Sequence, residues 1–85
     1  MKEFRYTITD PEGIHARPAG ELIKAVKDFA SKITITKDGK VADAKSIFSV
    51  MGLAVKQGQE IVIAAEGDDE EEAITAIEQF LKEKM

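Results

Sequence analysis

The sequence predicts an α+β fold, a single β-sheet with helices packed on one face. Three observations carry this. Period-two segments alternate along the chain with helix-period segments, in the order β-α-β-β-α-β-α. Asp38-Gly39, between Lys37 and Lys40, is a two-residue hairpin signal in the middle of the chain. Ile61-Val62-Ile63-Ala64-Ala65 is the most apolar run, as expected of a central strand.

Each element follows from local pattern. Phe4, Tyr6 and Ile8 alternate with Arg5, Thr7 and Thr9, which reads as a half-buried strand. Asp10-Pro11-Glu12-Gly13 is a loop by its turn residues. Ala19, Leu22, Ile23, Val26 and Ala30 fall on one helical face. Ile33 and Ile35 alternate with Thr34 and Thr36 in a second strand, and the hairpin then predicts a short third strand over 40–43. Ser46 is placed to cap a short helix through Ile47, Phe48, Val50 and Met51, with Gly52 near its end. Gln57-Gly58 is a turn. Gly67-Asp68-Asp69 opens the last helix, where Asp69 and Glu72 have the spacing of a capping box. Ile74, Ile77, Phe80 and Leu81 form its apolar stripe, and Lys82 and Lys84 suit the dipole of its last turn.

With 85 residues the chain holds one domain, 1–85. It has no cysteine and one histidine, which excludes a disulfide frame and any metal site built from several His or Cys ligands. Carboxylates alone remain as donors, and none has calcium-loop spacing. Neither metal nor cofactor is expected. No run approaches ~18 apolar residues, and Met1-Lys2-Glu3-Phe4 is not a signal region, so membrane insertion is not expected and a cytoplasmic protein is. The net charge of −4 argues against nucleic acid as a partner. Its distribution is uneven: residues 1–58 carry ten Lys/Arg against seven Asp/Glu, and residues 59–85 carry two against nine. Phosphate chemistry would sit more comfortably on the first part.

Within that part, Gly13-Ile14-His15-Ala16-Arg17-Pro18-Ala19-Gly20 stands out. His15 falls between a loop and the first helical turn. Pro18 is tolerated there because first-turn N–H groups have no intrahelical acceptor. The free amides near Ala16 and Arg17, with the helix dipole, make an anion site. Arg17 adds a fixed charge able to grip phosphate oxygens in pairs. An imidazole, mostly neutral near pH 7, supplies a nucleophile. Lys24 and Lys27 lie further along the helix, where they would attract an acidic partner. A lone histidine before a helix is more often a cap or a surface residue. The conjunction is what points to phosphoryl chemistry.

The chain resembles HPr, the histidine-containing phosphocarrier family of the bacterial sugar phosphotransferase system. Three stretches carry the resemblance: Gly-Ile-His-Ala-Arg-Pro-Ala over 13–19, Ala44-Lys45-Ser46-Ile47-Phe48, and Ala65-Glu66-Gly67-Asp68-Asp69-Glu70. The resemblance implies an open-faced β-sandwich, a four-stranded antiparallel sheet with three helices on one face, and a monomer. It implies that His15 accepts a phosphoryl group through Nδ1 from Enzyme I and passes it to an enzyme IIA component of a sugar permease. Arg17 and the amides of Ala16 and Arg17 would steady the phosphate. The protein would then be a stoichiometric carrier rather than a true catalyst.

Ser46 has two readings: an ordinary helix cap, and, by resemblance, the regulatory serine modified by HPr kinase/phosphorylase, whose product acts with catabolite control protein A. Ile47, Phe48, Val50 and Met51 cannot all face inward on so short a helix. An apolar docking surface at Ile47, Phe48 and Met51, beside Ala16, Gly20, Lys24 and Lys27, is therefore expected. Phe48 stands where Gram-positive members often have Met; Met51 and Gly52 look Gram-positive, and Gly20 replaces the more usual Ala. Other readings are a regulatory protein of the Crh type acting through Ser46 alone, a carrier for a nitrogen-linked or dihydroxyacetone-kinase relay, and an unrelated ligand-binding module. His15 counts against the Crh type, and the paired motifs count against the unrelated module.

Overall fold

The computed structural model describes residues 1–11, 13 and 16–84. The fold is organised around the strand formed by the most apolar run. In chain order the elements are β1 (Lys2–Thr7), α1 (Ala16–Val26), β2 (Lys32–Lys37), β3 (Lys40–Asp43), α2 (Ile47–Gly52), β4 (Glu60–Glu66) and α3 (Glu70–Lys84). They form one four-stranded sheet of order β1-β4-β2-β3, antiparallel throughout. β4 lies between β1 and β2, pairing Phe4 with Ile63 on one side and Ile35 with Ile63 on the other.

Alternation decides which face is covered. Ile61, Ile63 and Ala65 of β4 are buried with Ile33 and Ile35 of β2, while Val62, Ala64 and Thr34 on the opposite face stay half-buried. The helices bring Ala19, Leu22 and Val26 of α1, Val50 of α2, and Ala73, Ile77 and Leu81 of α3 to the covered face. α3 lies along β1 and β4, α1 touches both other helices, and α2 sits by β3. The Tyr6 hydroxyl donates to the Leu81 carbonyl at 3.0 Å and ties β1 to the end of α3.

Asp38 and Gly39 both take positive φ, 51° and 82°, the pattern of a type I′ turn whose twist matches a hairpin. Three details depart from the periodic reading. α1 ends at Val26, so Ala30 lies beyond it and is exposed; the half-buried Phe29 packs on the core instead. In α3 the deepest residues are Ala73, Ile77 and Leu81, with Ile74 and Phe80 half-buried at the margins. After α2 the positive φ falls not on Gly52 but on Ala54, at 52°.

Entry to α3 also differs from the expected Asp69–Glu72 box. The reach back is made by Glu70, whose Oε1 accepts from the Gly67 amide at 3.2 Å. The Asp69 carboxylate turns across the fold, accepting from the Ala30 amide at 2.7 Å, the Ser31 amide at 2.9 Å and the Ser31 hydroxyl. Ser31 is a buried polar residue, so these bonds satisfy donors cut off from water. They also hold the Asp69 carboxyl below its ordinary value, the Ser31 hydroxyl contributing most.

Candidate functional site

His15 and Ile14 lie outside the described residues, as does the side chain of Ala16; the geometry of the site is that of their surroundings. α1 begins at Ala16, one residue after the histidine, as the motif requires. Pro18 is in the first turn and buried, and its missing N–H costs nothing there. α1 has no acidic residue in its first turn. Arg17 is exposed, and among the described residues no carboxylate pairs with it. The dipole of α1 and this guanidinium both place positive potential at the same helix end.

The remaining candidate residues of α1 extend from this end along the helix to its last turn. Arg17, Gly20, Lys24 and Lys27 follow the three- and four-residue spacing of one helix face. Lys27 is just past the last residue of α1 but continues the turn, its amide donating to Ile23 at 2.9 Å. Gly20 faces α2: a Cβ built on it would lie 3.9 Å from Cδ1 of Ile47. The structure thus brings the basic stripe of α1 beside the start of α2.

α2 splits as its length demands. Val50 is buried, Ile47 is half-buried, and Met51 and Phe48 are exposed at 40% and 85% of their surface. A phenyl ring so exposed contributes nothing to the core. Ser46 caps the helix with its Oγ accepting from the Ser49 amide at 3.4 Å, and its backbone carbonyl accepts from Val50 at 3.0 Å. Lys45, just before it, is fastened by its ammonium to the Phe29 carbonyl at 2.5 Å.

The sequence pattern misses one contact beside the motif, with the segment 54–59 after α2: Gly13 is buried against Val55 and Lys56. The one signal in the sequence is a glycine two residues before the histidine. A glycine also suits any turn, so the signal has no direction.

No cluster of metal ligands is present among the described residues, and no helix there is long and apolar enough to cross a membrane. The described cavities are shallow: one lies along α3 by Glu72 and Gln79, one at its start, and one by Lys32 and Glu66 on the open face.

An open antiparallel sheet under three helices, with the motif 13–18 leading into α1, is the architecture of a small phosphate-handling protein. Residues 2–83 match the family model described as PTS HPr component phosphorylation site. A phosphocarrier protein HPr of Lysinibacillus sphaericus is 46% identical over 83 residues, covering 98% of this chain and 94% of that protein. Among solved structures, the histidine-containing phosphocarrier protein of a mycoplasma superposes with a TM-score of 0.94 at 45% identity, covering 96% of this chain and 93% of that one. Crh of Bacillus subtilis, reported as a domain-swapped dimer, superposes less closely, with a TM-score of 0.79 at 34% identity over 100% of this chain and 98% of that one. The chain belongs to the HPr family, the phosphocarrier of the phosphotransferase system.

Proposed function

We propose that His15 is the phosphoryl acceptor of this carrier, loaded by Enzyme I and discharged to the enzyme IIA domain of a sugar permease in the cytoplasm. The observation that carries the proposal is the entry to α1: no carboxylate in its first turn, and an exposed Arg17, two residues after the histidine, with no carboxylate partner among the described residues. A neutral imidazole nitrogen attacks phosphorus, the new P–N bond forms as the donor's bond to phosphorus breaks, and the arriving dianion is met by the helix dipole and the guanidinium. The same bond must break again at the next acceptor. One arginine and a helix end at the surface offer attraction without burial, which leaves the group free to leave.

The docking surface is the apolar Ile47, Phe48 and Met51 flanked by Gly20, Lys24 and Lys27. It suits a partner with an apolar centre and an acidic rim. Phosphorylation of Ser46 by HPr kinase/phosphorylase would add negative charge beside Ile47 and Phe48 at a helix end that tolerates it. It would weaken docking to an acidic partner while leaving the fold in place, and create the form that catabolite control protein A reads. The carrier acts as a monomer in this scheme, because docking uses the surface of one copy. The His15-independent, Crh-type reading is disfavoured by the histidine and its intact motif.

Enzyme I and radiolabelled phosphoenolpyruvate test the acceptor. Wild type should take acid-labile label and His15→Ala none; equal labelling of both would remove His15 from the role. For Ser46, kinase and ATP should give acid-stable label that Ser46→Ala lacks, and persistence of that label would end the regulatory reading.

A further inference from the structure

We propose that Gly13 is a positioning residue for phosphoryl transfer, the point at which the entry to α1 is set against the segment 54–59. The inference rests on His15 being the acceptor. Gly13 has φ of 68°, and a Cβ built on it would lie 2.2 Å from the Val55 carbonyl oxygen, 2.8 Å from Cα of Lys56 and 3.0 Å from the Val55 carbonyl carbon. All three obstacles are backbone, so no side-chain rotation relieves them. Ile8 and Thr9 also bond to this segment. Ile8 exchanges backbone bonds with Gln59 at 3.0 Å and Gly58 at 2.9 Å, and the Gln57 side-chain amide donates to the Thr9 carbonyl at 3.2 Å. The Gly13 amide closes the turn onto the Asp10 carbonyl at 2.9 Å.

The supporting segment is itself fixed from the sheet. The Lys37 ammonium donates to the Ala54 carbonyl at 3.2 Å and to Gln59 Oε1 at 3.4 Å, and the same Oε1 accepts from the Lys56 amide at 2.8 Å. Gln59 therefore joins β2 to the backbone on which Gly13 rests. The chain leaves that contact two residues before His15 and three before α1. The spacing between the imidazole and the free amides of α1 depends on where the chain enters, and an in-line transfer is steep in such placement.

The test compares wild type, Gly13→Ala and Gln59→Ala in transfer from phospho-Enzyme I, reading kcat and KM separately, with the His15 imidazole titration followed by NMR. Gly13→Ala should lower kcat on the order of ten-fold. KM should stay near wild type, because the α2 docking surface is untouched, and the imidazole titration should shift. Gln59→Ala loosens the support without entering the loop and should lower kcat about three-fold with a titration shift of the same sign. It decides the matter if Gly13→Ala does not fold. Wild-type kcat and an unmoved titration in the folded variants would overturn the role of Gly13 while leaving His15 in place. Wild type that takes no label would overturn both.

Discussion

Two of the three helices, α1 and α3, are entered by loops that press a glycine against a neighbouring backbone. Before α3, a Cβ on Gly67 would lie 2.7 Å from Cα of Ser31; before α1, one on Gly13 would lie 2.2 Å from the Val55 carbonyl oxygen. The similarity ends there. The entry to α3 is closed: Asp69 satisfies Ala30 and Ser31, Glu70 satisfies Gly67, and Glu70, Glu71 and Glu72 fill the first turn with the charge its dipole favours. The Met1 ammonium adds an ion pair to Glu70 at 3.2 Å. The entry to α1 has no acidic side chain in its first turn and an exposed arginine. One junction is held by its own carboxylates; the other has an arginine and no acid in its first turn, and under the proposed function it is there that a phosphate would be received. The uneven charge of the two parts of the chain matches this difference.

The comparison can be broken at several points, and the largest effect is expected at the closed junction. Gly67→Ala forces a methyl group into Ser31 and should cost about 1–3 kcal/mol of stability by chemical denaturation. Phosphoryl transfer per folded molecule should be unchanged; a loss of transfer in the folded variant would mean that the two junctions are coupled. Arg17→Ala should do the reverse, slowing transfer about ten-fold, the scale of one lost charge-assisted contact, with the denaturation midpoint within about 0.5 kcal/mol of wild type. Normal transfer would deny the open junction its electrostatic purpose.

Acid should act on the closed junction first. Asp69 has its folded pKa held below its ordinary 3.8, so the stability it contributes is complete well above that value and is lost as the pH falls through the depressed one. Asp69→Asn should flatten the acid limb of the stability profile. An unchanged limb would show that other carboxylates govern it. The smallest effect is expected at Ala54, whose φ of 52° is a left-handed conformation that costs an alanine about 1 kcal/mol. After the flexibility of glycine in the unfolded chain is counted, Ala54→Gly should gain roughly 0.5 kcal/mol, read as a raised midpoint.

The sequence makes the local parts of this architecture legible. The hairpin at Asp38-Gly39, the cap at Ser46 and the strand at 61–65 depend on neighbours in the chain, and pattern finds them. Exposure of Phe48 follows from a helix too short to bury four apolar residues. Beyond the β2–β3 hairpin the strand order is not legible, since periodicity says nothing about which strand pairs with which. Features decided across the fold escape the pattern. Asp69 has the spacing of a capping box, but the buried donors at Ser31 draw its carboxylate away. Ala30 keeps the helical period, but α1 stops and Phe29 fills the space. Alanine at 54 gives no hint of positive φ, and glycine at 13 gives no hint that it is pressed against Val55.

The place of β4 bears on how the chain comes into being. A ribosome delivers β1, α1 and the β2–β3 hairpin before β4, yet β1 and β2 have no bond to each other and meet only through that later strand. The growing chain exposes its histidine motif long before it can form the sheet beneath it. The segment on which Gly13 rests also belongs to this late portion. A nascent chain ending before residue 54 therefore has the histidine motif without the segment that Gly13 packs on, and under the proposed function competence for phosphoryl transfer should arrive in one step near the end of synthesis.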